Sequence, residues 1–210
     1  MVNTLITNYP SFVVVEYHID DAYATAWGNA RADFYGATPL PWFAYDGLWD
    51  AGPFDHYETN LLQRLAVPTD VTLELSGAEL AADTWEFTTE VCVELGGAGT
   101  TMRLYMIQAL DKYPASPTYS RNTFRQAAAT EDVTVAAGEC AEIVRSFTFD
   151  ATSMAQPEDI VVMAWAQESL PGIPAEVHQA AQLKWPFAEA AMFADGFESG
   201  DASAWSAVVP

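Results

Sequence analysis

Thiol chemistry is the first possibility that this sequence raises, because it contains two cysteines. Cys92 lies in a predicted strand, and Cys140 begins another strand far downstream. A redox-active pair is instead found close together at the start of a helix, as in Cys-x-x-Cys. The spacing therefore favours a structural disulfide between two strands, which is typical of an oxidising compartment. Two buried free thiols are the alternative.

Acid–base or metal chemistry is suggested at one position. His18 ends a predicted strand beside Asp20 and Asp21, and sites in α/β proteins form at such strand ends. A local hydrogen bond is the alternative interpretation. The sequence has no His-x-x-x-His or Glu-x-x-His pair, no Gly-x-Ser-x-Gly motif and no phosphate-binding loop. We therefore predict no catalytic residue, no metal site and no cofactor.

The charge balance restricts the classes of partner. The chain has 29 acidic and 8 basic residues, with a formal net charge of −21. Nucleic-acid binding requires clustered Lys and Arg, and an anionic membrane surface repels such a chain, so we predict neither partner. The acidity fits solubility in a salty or extracellular setting, with weak Ca²⁺ binding at an acidic loop as the alternative. No apolar run of about 18 residues predicts a membrane span, and the N-terminus lacks the features of a signal peptide.

The first third of the chain alternates strands and helices. The β-branched run at 12–17 predicts a buried parallel strand. Asp20 or Asp21 is expected to cap a helix over 21–34, which Gly36 ends. Small or apolar residues recur at every fourth position of that helix and predict its buried face: Ala22, Ala26, Ala30 and Phe34.

Further elements complete a β-α-β-β-α order over residues 1–67. They are a strand at 42–45, a turn at Asp46-Gly47, a short strand at 48–50, and a helix from Pro53 to about Ala66.

Short strands then replace the helices, over about 69–187. They are separated by turns rich in Gly, Pro, Asp and Ser, which predicts an immunoglobulin-like antiparallel β-sandwich. The overall class is therefore α+β, in two parts. The predicted strands are 71–75, 85–95, 102–110, 123–127, 132–135, 140–149, 160–167 and 177–183.

The segment Tyr35–Gly47 resembles the part of the thioredoxin fold that carries its cis-proline. A Tyr-Gly pair ends a helix, and Pro41 then falls in register with that proline. The resemblance implies a partial thioredoxin-like segment over 1–67 and a cis Leu40–Pro41 bond. It also implies an edge where an extended peptide docks, formed by Thr38, Leu40, Pro41 and Trp42.

A thioredoxin-like part followed by a sandwich resembles the Omp28-related family of secreted and outer-membrane proteins. The matching residues are Tyr9-Pro10, the run from Phe12 to His18, the segment Tyr35–Gly47, and Asn122–Arg125. Members usually carry a signal peptide and a Cys-x-x-Cys helix ahead of these residues, so we expect this chain to be a fragment of a longer product. The resemblance implies a secreted, periplasmic or surface location. The end of the chain, 188–210, resembles a C-terminal motif of secreted proteobacterial proteins, for which a sorting signal and a disordered end are the two interpretations.

Three functions remain open at this point. We expect a non-enzymatic interaction protein that binds a protein or peptide partner, because the scaffold of a redox protein lacks its cysteine pair. One alternative is a truncated thiol–disulfide oxidoreductase of the cell envelope. The other is a calcium-dependent adhesion module.

Overall fold

The computed structural model of the chain describes residues 2–38, 42–50, 56–115 and 120–187, with the side chains of Trp49 and Asp50 outside that description. The helices are α1 (Val2–Asn8), α2 (Ala26–Tyr35), α3 (Tyr57–Leu65) and α4 (Ala151–Met154). No helix in these ranges is long and apolar enough to span a membrane.

Residues 71–184 form the two antiparallel sheets of a β-sandwich. A three-stranded sheet has the order β3-β4-β8, and a five-stranded sheet has the order β10-β9-β5-β6, with β7 also paired to β5. All eight strands predicted from the sequence are present, with ends that differ by a few residues. Their bounds are β3 (Val71–Ala81), β4 (Thr84–Val93), β5 (Thr100–Leu110), β6 (Thr123–Ala127), β7 (Glu131–Val135), β8 (Cys140–Thr148), β9 (Ile160–Glu168) and β10 (Val177–Lys184).

The five-stranded sheet is buried on both faces. Along β9, Ile160, Val162 and Ala164 pack between the sheets, whereas the alternate residues Val161, Met163 and Trp165 belong to a second cluster. Successive side chains of a strand point to opposite faces, so the outer face of this sheet is also covered. The cover is the N-terminal part, which contributes Val13, Val15, Tyr17 and Trp27.

The two cysteines form a disulfide within the three-stranded sheet. Cys92 of β4 and Cys140 of β8 are directly opposed in the antiparallel register, with their Cα atoms 4.0 Å apart. The bond therefore joins two neighbouring strands of the sandwich, as the sequence analysis expected.

The N-terminal part contains a tight hairpin. Strands β1 (Phe43–Tyr45) and β2 (Leu48–Asp50) pair antiparallel. The turn between them is Asp46-Gly47, and both residues have positive φ, 46° and 71°. This is the backbone of a type I′ turn, for which Asp-Gly is a preferred sequence. The predicted turn and both short strands are confirmed.

The predicted strand at 12–17 is wrong. The segment is extended, but its one ladder contact within the described residues is a parallel bridge between Glu16 and Thr123 of β6. Its apolar run is buried from two sides because it lies between two clusters: Val13, Val15 and Tyr17 face the sandwich, while Phe12 and Val14 join a small core with α1, α3 and β1. Burial on both sides is what the apolar run indicated, and a sheet is only one way to achieve it.

The start and the buried face of α2 also differ from prediction. Thr25, rather than Asp20 or Asp21, is the N-cap, and its hydroxyl accepts a hydrogen bond from the Gly28 amide at 2.9 Å. Gly36 ends the helix with φ 63°, as predicted. The expected alanine face is exposed, and the buried residues of α2 are Gly28, Arg31 and Ala32.

Candidate functional site

The predicted proline edge is described only at its two ends. Thr38 is exposed and Trp42 is partly buried. Leu40 and Pro41 lie outside the described residues, so the cis isomer of the bond between them stays a prediction. The Trp42 ring lies 6.0 Å from the ring of Tyr35, at an interplanar angle of 31°. Trp42, at one end of the proline edge, therefore contacts the last residue of α2.

Behind Tyr35 lies a buried arginine that the sequence analysis did not identify. Arg31 of α2 is only 6% exposed. Its Nη1 donates to the hydroxyl of Tyr105 at 3.1 Å, and its Nη2 donates to the hydroxyl of Tyr35 at 2.5 Å. Nη2 also donates to Oε1 of Gln167 at 2.9 Å. The bonds to Tyr105 and Gln167 tie α2 to β5 and β9 of the sandwich, whereas the bond to Tyr35 stays within α2.

Aromatic rings surround the guanidinium group of Arg31. Its Cζ lies 4.3 Å from the centroid of Phe34, 4.7 Å from Tyr35 and 4.6 Å from Tyr105. Trp27 and Trp165 follow at 5.8 and 6.0 Å. A cation over aromatic faces gains electrostatic energy from the ring quadrupoles, and the gain is larger when water is excluded. The stacking is one reason why this charge can be buried.

Gln167 connects the arginine to the hairpin. This side chain is fully buried, and its Nε2 donates to the carbonyl oxygen of Ala175 at 2.8 Å. The segment after β9 also binds the hairpin turn, because Val177 N donates to Asp46 O at 2.7 Å and Ala175 N donates to Gly47 O. Gln167 therefore links Arg31 to the segment that holds the hairpin turn.

Arg31 differs from the other arginines in its electrostatic partners. The chain has six arginines, and Arg31 is the one for which no carboxylate partner occurs among the described residues. The other ion pairs are Arg64 with Asp46 and Glu176, Arg103 with Asp132, Arg121 with Asp111, Arg125 with Asp150, and Arg145 with Glu131.

A deprotonated Tyr17 does not supply a negative charge to balance Arg31. Burial raises the pKa of Tyr17 in this cluster well above its ordinary value, and the Arg31 guanidinium opposes that rise only in part. Tyr17 is therefore neutral at physiological pH. The hydrogen-bond partners of the guanidinium among the described residues are therefore hydroxyl and amide groups.

His18 does form the contact that the sequence suggested. Its Nδ1 lies 2.5 Å from Oδ2 of Asp21, and the other Asp21 oxygen accepts from the Tyr23 amide. The hydrogen bond from His18, followed by that from Tyr23, holds the pKa of Asp21 below its ordinary value. Nε2 of His18 is buried, with no hydrogen-bond partner among the described residues. Asp21 orients the imidazole of His18, as in an acid–base pair. Nε2, the nitrogen that would act on a ligand, is however buried.

We next consider which described residues could bind a metal ion or react as a thiol. The group of possible ligands that lie close together in the described ranges is Glu90, Cys92 and Cys140. Both of its sulfur atoms belong to the disulfide, so neither is a thiolate ligand or a nucleophile.

Comparison with known proteins shows a similar fold in a solved structure but no related sequence. No protein-family model matches the sequence, and no curated protein matches it. The solved structure "HBP35 of Porphyromonas gingivalis" aligns with a TM-score of 0.67 and 16% identity, over 83% of this chain and 64% of that one. This likeness shows the fold alone, and the chain spans just under two thirds of the length of HBP35.

Two further solved structures align with TM-scores below 0.5, and we draw no conclusion about this chain from them. A domain of the outer membrane lipoprotein Omp28 from Porphyromonas gingivalis aligns with a TM-score of 0.43 and 12% identity, over 68% of this chain and 96% of that one. A β-glucosidase from Kluyveromyces marxianus aligns with a TM-score of 0.34 and 10% identity, over 55% and 14%. An Omp28 domain is thus among the structural neighbours, while membership of the Omp28-related family stays a prediction.

Proposed function

We propose that this chain is an envelope-associated, non-enzymatic interaction protein that binds an extended peptide segment of a partner. In this proposal a partial thioredoxin-like segment, 1–67, packs on an immunoglobulin-like sandwich, 69–187, with a tail over 188–210. The fold shared with HBP35 supports the two-part arrangement. The disulfide is typical of proteins in oxidising compartments, and so supports a location in the envelope or outside the cell.

The observation that carries the proposal is an unpaired backbone edge beside Trp42. In a two-residue hairpin the residues next to the turn exchange hydrogen bonds, and the following pair does not. Tyr45 and Leu48 are that first pair, so the N–H and C=O of Ala44 point away from β2. No backbone partner for Ala44 occurs among the described residues. An extended peptide adds to such an edge through main-chain hydrogen bonds.

Trp42 and Thr38 give this edge its side-chain contacts. Trp42 precedes β1 directly, and its partly exposed indole rests against Tyr35. Thr38 is exposed on the other side of the predicted proline loop. An aromatic side chain that is anchored on one side and open on the other is typical of residues that dominate binding energy at interfaces. We therefore assign Thr38, Leu40, Pro41 and Trp42 to the peptide site.

A displayed library of linear peptides, selected on the purified chain, tests this proposal. The dissociation constant of the best peptide is then measured by calorimetry. Trp42→Ala is expected to weaken binding by about tenfold or more, the loss of an interface anchor. Leu95→Ala is the matched control, because Leu95 is 86% exposed in the turn after β4, and should leave affinity unchanged.

A second peptide series tests the backbone contribution. In strand addition only every second amide of the peptide points at the edge. Two peptides are therefore compared, one N-methylated at the odd amides and one at the even amides, and only one of them should bind more weakly. The proposal is wrong if no peptide binds more tightly than about 1 mM, or if Trp42→Ala binds as the wild-type chain does.

No specific observation in the described residues favours the two alternative functions. The thiol pair that an oxidoreductase needs is absent there, because both sulfur atoms form the disulfide. A calcium-dependent module needs clustered carboxylates, and no group of three carboxylates occurs in the described ranges.

A further inference from the structure

We infer that the buried guanidinium of Arg31 is a binding site for a carboxylate group supplied by a ligand. The ligand is either a small free acid or the C-terminal carboxylate of a peptide. This inference does not depend on the peptide site at Trp42, because it stands on a different set of contacts.

The first support is the unbalanced charge. Five of the six arginines pair with carboxylates, although several of those pairs are substantially exposed. Arg31 is the most deeply buried of them at 6% exposure, and it has no carboxylate within reach among the described residues. Burying an unpaired charge is costly, so an anion that reaches Arg31 gains more than one that pairs at the surface.

The second support is an excess of hydrogen-bond donors. The guanidinium has five N–H groups. Its Nη atoms donate to Tyr105, Tyr35 and Gln167, the hydroxyl of Tyr17 also interacts with it, and its Nε is buried without a partner among the described residues. The hydroxyls of Tyr35 and Tyr105 both accept from Arg31, so each keeps its own hydrogen to donate. Oε1 of Gln167 already receives bonds from Arg31 and from Trp165 Nε1. The cluster therefore lacks an acceptor, and a carboxylate has two acceptor oxygens and no donor.

The third support is shape. Phe34, Tyr35 and Tyr105 lie within 5 Å of Cζ and cover the guanidinium group. A ligand must then approach the edge of the planar group, where Nε is free. A planar carboxylate suits such an approach, whereas a tetrahedral phosphate or sulfate is bulkier. Tyr35 is the most exposed of the three hydroxyl and amide partners of Arg31, so a ligand that comes from solvent reaches the guanidinium past this ring.

Calorimetric titration of the full chain tests the inference with three ligands. Sodium acetate represents a free acid, a short peptide with a free C-terminus represents a peptide source, and the same peptide as its C-terminal amide lacks the carboxylate. We expect saturable binding of acetate or of the free peptide with a dissociation constant of about 1 mM. The amide should bind more weakly than the free peptide, because it lacks the carboxylate. Whichever of the two carboxylates binds more tightly identifies the source.

Three variants give the test its controls. Arg31→Met should weaken binding by about tenfold or more, since it removes a charge-assisted bond. Tyr105→Phe removes only a hydroxyl, keeps the core filled, and should weaken binding about threefold to tenfold even if Arg31→Met does not fold. Arg125→Met is the matched control: Arg125 also stacks on a tyrosine, at 4.9 Å from the Tyr113 ring, but it pairs with Asp150. Its carboxylate affinity should equal that of the wild type.

Several results would overturn the inference. They are the absence of saturable carboxylate binding below about 100 mM, wild-type affinity in Tyr105→Phe or Arg31→Met, or equally tight binding of chloride. Acetate separates this inference from the proposed function, because it has no main-chain amides with which to add to the edge of β1. Acetate binding that Arg31→Met weakens supports the inference whether or not any peptide docks at that edge.

Discussion

Asp111 accepts two hydrogen bonds from one side chain, from Nε of Arg121 at 2.5 Å and from Nη2 at 2.9 Å. Both partners are largely buried, with side-chain exposures of 10% and 15%. Arg121 also donates to Asn3 of α1, and its backbone amide donates to Glu16. The pair therefore lies where the N-terminal part meets the sandwich.

Replacing Asp111 by asparagine should destabilise the fold strongly. Asp111→Asn removes the charge that Asp111 sets against the largely buried Arg121, and we expect it to lower the free energy of unfolding by about 3 kcal/mol. Urea unfolding at neutral pH measures the change. Asp132→Asn is the control, because Asp132 and Arg103 are 42% and 34% exposed, and should cost less than about 1 kcal/mol. Equal losses in the two variants would contradict the prediction.

The same pair should make stability depend on acid pH. Burial acts to raise the pKa of Asp111, but the hydrogen bonds and charge of Arg121 outweigh it and hold the pKa below its ordinary value. A carboxyl with a lowered pKa in the folded state stabilises fully above its unfolded pKa of about 3.9, and that stability is lost as the pH falls through the folded value. The stability difference between wild type and Asp111→Asn should therefore shrink as the pH is lowered from 7 to about 3. A difference that stays constant over that range would refute this account.

Two glycines of similar φ should respond very differently to alanine. At Gly47, φ is +71° and a Cβ would lie 1.9 Å from Ala175 O and 2.5 Å from Gln167 Nε2. At Gly36, φ is +63° and nothing lies within 4 Å. Gly36→Ala should cost about 1 kcal/mol, the penalty of the left-handed conformation, and Gly47→Ala about 3 kcal/mol or more, because the hairpin must also separate from the sandwich. Thermal unfolding of both variants checks the order, and similar melting temperatures would argue against the tight hairpin contact.

Loss of the disulfide should destabilise the sandwich. The bond closes a loop with a sequence separation of 48, for which the chain-entropy model gives about 4 kcal/mol. The double variant Cys92→Ala, Cys140→Ala should show that loss in urea unfolding. A reductant should destabilise the wild type but not the double variant, which has no disulfide to reduce. If the reductant destabilises both proteins equally, its effect does not come from this disulfide and the prediction is wrong.

The sandwich could be predicted from the sequence because its strands follow simple rules. From Ser146 to Phe149, at the end of β8, polar and apolar residues alternate, and Phe147 and Phe149 are indeed buried. In β9 the residues from Ile160 to Ala166 are all apolar, and the structure buries all of them. The segment 12–17 has the same kind of run but is no strand, because apolar composition reports burial and not the identity of the covering element.

The arginine site could not be predicted from the sequence for a related reason. A charged residue in a helix normally lies on the solvent face, and the recurrence of small or apolar residues at every fourth position predicts a different buried face for α2. What buries Arg31 is supplied by Tyr105, Trp165 and Gln167, which lie far away in the sequence on β5 and β9. The one local signal was the aromatic flank of Trp27, Phe34 and Tyr35 around the arginine, at helical spacing. That pattern is common in cores and does not by itself indicate a cation.

The apolar outer face of the five-stranded sheet has a practical consequence for dissecting this protein. A fragment that begins after residue 70 keeps the complete sandwich but uncovers Tyr105, Phe124, Val161, Met163 and Trp165, which the N-terminal part normally covers. Contiguous exposed apolar surface of this kind promotes self-association. The sandwich on its own is therefore expected to aggregate on expression, and size-exclusion chromatography of the two lengths would show whether the N-terminal part acts as its solubilising cover.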